Sequence, residues 1–204
     1  MKNTEQRFEE FKNKVLARAK EAEVSTTICR DVYNTINFYE LCGVIKSNFW
    51  WCCINNVLIP SLIDEYSVEL EEYDIYHNKS VSRGYVLVSE EKCIEVFGTA
   101  TVVATESSIV VGYESTDIYA VNASVTAYQL STVKAFGTSV VDAYHRVSVV
   151  AKGEVSVTAH DMCYVISYGM NEIKAHDQSI VRYNMETSCE LHDDAIGLQM
   201  DERQ

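Results

Sequence analysis

From Val86 to Cys189 an apolar residue recurs every eight positions, with one seven-residue step between Ile118 and Val125. Thirteen of the fourteen members are valine or isoleucine. A short fixed period of this kind marks units that cannot bury their own apolar face and must stack on their neighbours. Two residues after each member runs a second register, Ala104, Gly112, Ala120, Ala127, Ala135, Ala143, Ala151, Ala159, Ser167 and Ala175, all small. It opens on Val88 and Val96 and closes on Tyr183 and Leu191. A spacing of two puts both registers on one side of a strand, so each repeat turns one large and one small residue inward. The bulkier pairs at either end read as the flare of capping coils.

The position after the small residue sets the number of repeats per coil, because residues one coil apart stack. Taken alternately it reads Phe97, Tyr113, Tyr128, Tyr144, His160, His176 and His192 on one side, and Ser89, Thr105, Val121, Phe136, Lys152, Tyr168 and Asn184 on the other. Taken in threes, every class mixes aromatic and polar members. Two repeats per coil is therefore the expectation: a mainly β, parallel two-sided solenoid of about sixteen residues per coil, about seven coils and roughly 34 Å long.

The outward position between the two core registers also separates. One face presents Leu87, Val103, Tyr119, Lys134, Val150, Ile166 and Arg182, and the other Glu95, Val111, Thr126, Asp142, Thr158, Lys174 and Glu190. Leu87, Val103, Tyr119, Val150 and Ile166 make the first face the stickier one, and an apolar strip calls for cover, by the N-terminal helices or by another protomer. The helices are the favoured cover.

Before the repeat, Phe8, Phe11, Val15, Leu16 and Ala19 fall at helical spacing, so residues 5–22 predict an amphipathic helix capped by Thr4. Ser25 caps a second helix through Ile28, Val32, Ile36 and Leu41; Asn48 to Ile54 forms a third apolar unit, and Pro60 starts a fourth helix through Tyr66. Trp50 and Trp51 are read as packing residues. The expected division is a helical domain with an acidic connector over residues 1–76, the solenoid over 77–192, and an acidic tail or cap over 193–204.

Charge and motifs narrow the function. Residues 93–204 carry six basic and fifteen acidic side chains, a surface that repels phosphate backbones, so nucleic-acid binding is not expected. The seven cysteines show no CxxC pair or zinc-ligand spacing and are read as buried thiols, Cys52 and Cys53 included. No nucleophile elbow, phosphate-binding glycine loop, HExxH or calcium-binding glycine-aspartate nonapeptide is present, and the turns are too short to shape a substrate cleft. No catalytic residue, cofactor or metal site is expected; the histidine column is read as a continuation of the tyrosine stack in preference to a metal or pH site. The N-terminus lacks the pattern of a secretory signal and Phe49–Ile63 is too short to span a bilayer, so a soluble cytoplasmic protein without membrane contact is expected.

The runs Ser124-Val125-Thr126-Ala127-Tyr128, Ser131-Thr132-Val133-Lys134-Ala135-Phe136-Gly137 and Ser139-Val140-Val141-Asp142-Ala143-Tyr144 resemble the ATVxAYxN octapeptide arrays of β-solenoid proteins from Bacteroides-type bacteria and their phages and mobile elements. The resemblance covers residues 85–192; the Trp-Cys-Ile-Asn-Asn segment ahead of Pro60 is also similar to a helical region preceding such arrays. It implies a fold and a source, and a virion location if phage-encoded, with no activity to transfer. Turn asparagines and glycines are fewer here than in those arrays. The expected function is a non-enzymatic scaffold that binds a protein partner or itself through the apolar face or the open end. The alternative is a glycan- or ligand-binding module using the aromatic column from Phe97 to Tyr144.

Overall fold

The computed structural model describes residues 3–22 and 26–200. The chain divides into two units, Met1–His77 and Asn78–Gln204.

The first unit holds six helices, α1 (Thr4–Glu21), α2 (Thr26–Asn34), α3 (Phe38–Ser47), α4 (Phe49–Ile54), α5 (Pro60–Glu65) and α6 (Ser67–Glu71), and a short strand, Ile75–His77. Asn3, not Thr4, caps α1: its side chain accepts from the Gln6 N–H while Gln6 reaches back, a reciprocal box that a threonine inside the helix cannot make. The expected Ser25 cap lies outside the described residues. The second predicted helix is two, because Asn37 accepts the Glu40 N–H and restarts the chain as α3, leaving Ile36 exposed. Pro60 stands in the first turn of α5, where its missing N–H costs nothing.

This core is a jigsaw of large side chains. Phe11 meets Tyr66 at 4.8 Å between ring centroids and Phe38 at 5.7 Å, and Leu41, Ile45, Leu58, Ile63 and Leu70 are buried around them. Over Tyr66 lies the Arg7 guanidinium, 4.7 Å from the ring centroid, which bonds both carboxylate oxygens of Glu69 and so ties α1 to α6.

The second unit is a parallel β-solenoid. Eight strands, from Tyr85–Val88 to Ile196–Gln199, stack into one face, and seven, from Cys93–Val96 to Ser188–Leu191, into the other. Successive strands of a face pair in register sixteen residues apart, as Val149 with Val165 and Ala143 with Ala159. Around the seven-residue step the offset is fifteen, Ile118 with Val133. The missing residue comes out of one corner, where Asn122 alone turns in the left-handed region while the coil below uses both Glu106 and Ser107. Valines and alanines of the two inward registers are buried throughout the middle coils. Gly112 is required in its register: a Cβ there would stand 2.5 Å from Ile118 Cδ1 and 2.6 Å from Thr116 Oγ1.

A third inward register lies at the corners, on the residue ahead of each strand: Ala100, Ser108, Thr116, Ala123, Ser131, Ser139, Val147, Val155, Cys163, Asn171, Ser179 and Thr187, all buried. Most of its polar members satisfy themselves locally. Ser131 and Ser139 each donate at 2.8 Å to the carbonyl three residues back, and Asn171 donates to Tyr168 O and Ser167 Oγ and accepts the Val155 N–H.

The stretch from residue 193, read as a tail or cap, contributes a strand, Ile196–Gln199, laid on Ile180–Tyr183. Its alternation is inverted: Gly197 and Gln199 continue the inward registers, while Ile196 and Leu198 continue the outward ones. A Cβ on Gly197 would fall 2.8 Å from Leu191 Cδ1 and 3.1 Å from Tyr183 Cε1, so a larger residue there needs those side-chain ends to shift.

Candidate interaction surfaces

The ring column forms at the corners that lead from the seven-strand face to the eight-strand face. Phe97, Tyr113, Tyr128, Tyr144, His160, His176 and His192 stack with centroids 5.1, 5.2, 5.1, 4.8, 4.9 and 4.7 Å apart and planes within 17° of parallel. Strand stacking sets that separation. Two consequences follow for ligands. Each interior ring spends both faces on its neighbours, leaving edges and hydroxyls for solvent. Corresponding nitrogens of two stacked imidazoles are separated by about the ring spacing, whereas a transition metal sits roughly 2.0–2.1 Å from each nitrogen it binds; no single ion fits between two histidines so placed. Among the described residues no group of three or more His, Cys, Asp or Glu is placed to hold a metal ion.

Beside the rings runs a second column that the sequence reading did not reach. The residue after each ring, Glu114, Gln129, His145, Asp161, Asp177 and Asp193, has φ between 56° and 67°. Non-glycine residues pay about 1 kcal/mol or more for that region. Here the side chains offset it by accepting main-chain N–H groups of the preceding coil: Gln129 from Glu114, Asp161 from His145 at 2.8 Å, and Asp177 from Asp161 at 3.0 Å. Turns short of asparagine and glycine are thereby accounted for. An open groove of about 450 Å³ lies along this edge, lined by His145, Arg146, Asp161, Met162, Asp177 and Gln178. Its carboxylates are partly committed to the backbone.

The opposite corners use glycine where the preceding residue is large. Gly137, Gly153 and Gly169 follow Phe136, Lys152 and Tyr168 with φ of 64°, 120° and 102°. A Cβ on Gly137 would meet Asn122 Oδ1 at 2.1 Å.

The outward side of the eight-strand face divides into three zones. Leu87 and Val103, read as part of an apolar strip in need of cover, are buried at 3% and 0% exposure, so they do not belong to an accessible surface. In the middle, Lys134 Nζ donates to Tyr119 Oη at 2.8 Å and lies 4.4 Å from that ring's centroid, which interrupts the strip with a polar pair. That bond, together with nearby Asp117, raises the Lys134 pKa. Beyond it Val150 and Ile166 are half-buried, and the surface opens toward the last coils: Ile180 is 37%, Leu198 49% and Ile196 52% exposed, with Tyr164 beside Ile180 and Arg182 between Ile166 and Leu198. Only Val150 and Ile166 of this zone had been singled out from sequence. Tracking the first outward position of each strand, as well as the central one, would have added Tyr164, Ile180 and Ile196.

The cysteines form no disulfide. Burial pushes the thiols of Cys42 and Cys52 up to about 12 and that of Cys163 to about 11, and Cys53 is raised as well, so none of these is a ready thiolate. Cys93 is exposed. Trp50 and Trp51 are half-buried, while Phe49, Cys52 and Cys53 point α4 into its core. No helix among the described residues is long and apolar enough to cross a membrane.

No family model, curated protein or solved structure matches this chain.

Proposed function

We propose that the protein is a non-enzymatic scaffold, a stiff two-faced solenoid that engages a protein partner or further copies of itself through the eight-strand face near its last coils. The observation that carries this reading is the gathering of apolar side chains at outward positions there, half-buried Tyr164 and Ile166 with exposed Ile180, Ile196 and Leu198 around a single cation, Arg182, on a chain whose net charge is −13. Contiguous apolar surface on an otherwise acidic body is what interaction sites present. The continuous ladders support stiffness, since every coil is bonded to the next on both faces. A place in a phage or mobile-element assembly is part of the proposal and rests on the octapeptide resemblance. The glycan alternative has weaker support, because sugars stack on ring faces and the interior rings of the column use theirs on each other.

Light scattering across a wide concentration range, with cross-linking in extracts of a host that expresses the protein, tests the reading. Association or a reproducible cross-linked partner that is lost in Ile180→Lys is the expected result. A strict monomer with no partner sensitive to that change would overturn it.

A further inference from the structure

We propose that the free edge of the last strand, Ile196–Gln199, docks an extended segment of another protein in which lysine or arginine alternates with apolar residues, adding it as the next strand of the eight-strand face. The proposal rests on the interaction reading above and names its partner.

Backbone direction is the first support. The Ile196 N–H donates to Ser179 O at 2.9 Å and the Met200 N–H to Tyr183 O at 2.8 Å. Alternation along a strand therefore turns the N–H and C=O of Gly197 and Gln199 the other way, toward the side where no strand pairs among the described residues. An open edge of unpaired main-chain groups is a template for a further strand, and recognition by strand addition uses such edges.

The side chains add specificity. Ile196 and Leu198 stand half-exposed on the outward side of this strand, so an incoming strand in register finds apolar neighbours at alternate positions. Residues 182–200 contain four carboxylates, Glu186, Glu190, Asp193 and Asp194, against one cation, Arg182, which stands beside Leu198. All four acids are exposed. The end of the solenoid thus attracts a basic strand and repels its own twin, because edge-to-edge pairing of two copies would bring both sets of carboxylates together. Acidic residues around an open end, here in the connections and on the last strand of the other face, guard against self-pairing while selecting the charge of the partner.

Two synthetic heptapeptides test this on the full-length protein, one alternating lysine with valine and one alternating glutamate with valine. Binding is followed by fluorescence anisotropy, and amide exchange at Gly197 and Gln199 by NMR. The lysine peptide is expected to bind, to slow exchange at those two amides, and to weaken as salt rises from about 0.1 M to about 1 M; the glutamate peptide is expected not to bind. Gln199→Pro removes one outward N–H while leaving the bonds made by Ile196 and Met200, and should weaken the lysine peptide roughly tenfold, about one main-chain hydrogen bond. Retained exchange protection in the Ile180–Tyr183 strand checks that the variant is folded. Equal binding of both peptides, binding without protection at Gly197 and Gln199, or no binding of the lysine peptide overturns the proposal. So does protection of those amides that grows with protein concentration alone, which would make a second copy the occupant. Association through Tyr164, Ile166 and Ile180 with the edge amides unprotected leaves the scaffold reading standing and removes only this one.

Discussion

The helical unit and the solenoid solve the burial problem in opposite ways. In the helical unit a few large side chains, Phe11, Phe38 and Tyr66 among them, meet once each in a geometry that no other part of the chain repeats. In the solenoid, valine, alanine and a small corner residue recur through many stacked layers, so no single contact is decisive while every layer must obey the same size limits. A jigsaw is therefore sensitive to what is removed from it, and a stack to what is added.

Truncation in the helical unit should give the largest effect. Phe11 is fully buried between two aromatic rings, and Phe11→Ala removes a ring that helices as short as these cannot close over. A loss of about 3–5 kcal/mol is expected, read by denaturant unfolding and by faster amide exchange in α1 and α3. A loss comparable to that of an alanine-sized change would mean the unit repacks freely and the contrast with the solenoid is false.

Addition in the solenoid comes next. Ala143 is fully buried and stacks on Ala127 below and Ala159 above, so the extra volume of leucine has no layer to move into. Ala143→Leu should cost about 1–3 kcal/mol. Its mirror, Val141→Ala, removes less volume and should be measurably milder than the Phe11 truncation on the same scale.

How far each unit could be read beforehand follows from the same difference. Two solenoid registers, the two-sided coil and the ring column were legible because a period of eight repeats the evidence many times over. The third register was hidden by its chemistry: Ala100, Ser108, Thr116, Val147, Cys163 and Asn171 share small size and burial but not polarity, so hydrophobic periodicity passes over them. Ile196 and Leu198 escaped because the inward positions beside them are Gly197 and Gln199, which breaks the apolar register at the point where the strand continues. In the helical unit nothing repeats, and a single local competition decided each outcome. Asn3 won the cap over Thr4 through the Gln6 box, and Asn37 cut one predicted helix into two. The candidate surface was the least legible part, since Leu87 and Val103 look like Val150 and Ile166 in sequence and differ only in burial.

At the corners the stack depends on polar repetition as well. Asp161 accepts the His145 N–H at 2.8 Å while itself holding φ of 59°, so Asp161→Ala removes the acceptor and leaves a strained residue without its compensation. About 1 kcal/mol is expected. Asp161→Asn keeps both an acceptor and a side chain suited to the left-handed region, and should retain most of that stability. Equal losses in the two variants would mean that carboxylate charge, not acceptance from the backbone, is what the corner uses.

The smallest effect expected is a pH dependence confined to the helical unit. Hydrogen bonds from Arg7 hold the Glu69 carboxyl below its ordinary value of 4.5, outweighing the opposing effect of burial, with the guanidinium's charge a lesser push in the same direction. A group whose pKa is lower folded than unfolded adds stability that is fully present above the unfolded value and is lost as pH falls through the folded one. Amide exchange in α1 and α6 should therefore accelerate as pH is lowered below about 4.5, after correction for the intrinsic exchange rate. The magnitude is about 1 kcal/mol or less, as for other partly exposed pairs. Glu69→Gln keeps the shape and one acceptor but removes the titration, so its exchange in α1 should change less with pH than that of the natural chain. The solenoid strands serve as the internal reference: acid sensitivity there that matched α1, and that survived Glu69→Gln, would assign the effect to the chain's overall charge and dissolve this last distinction between the two units.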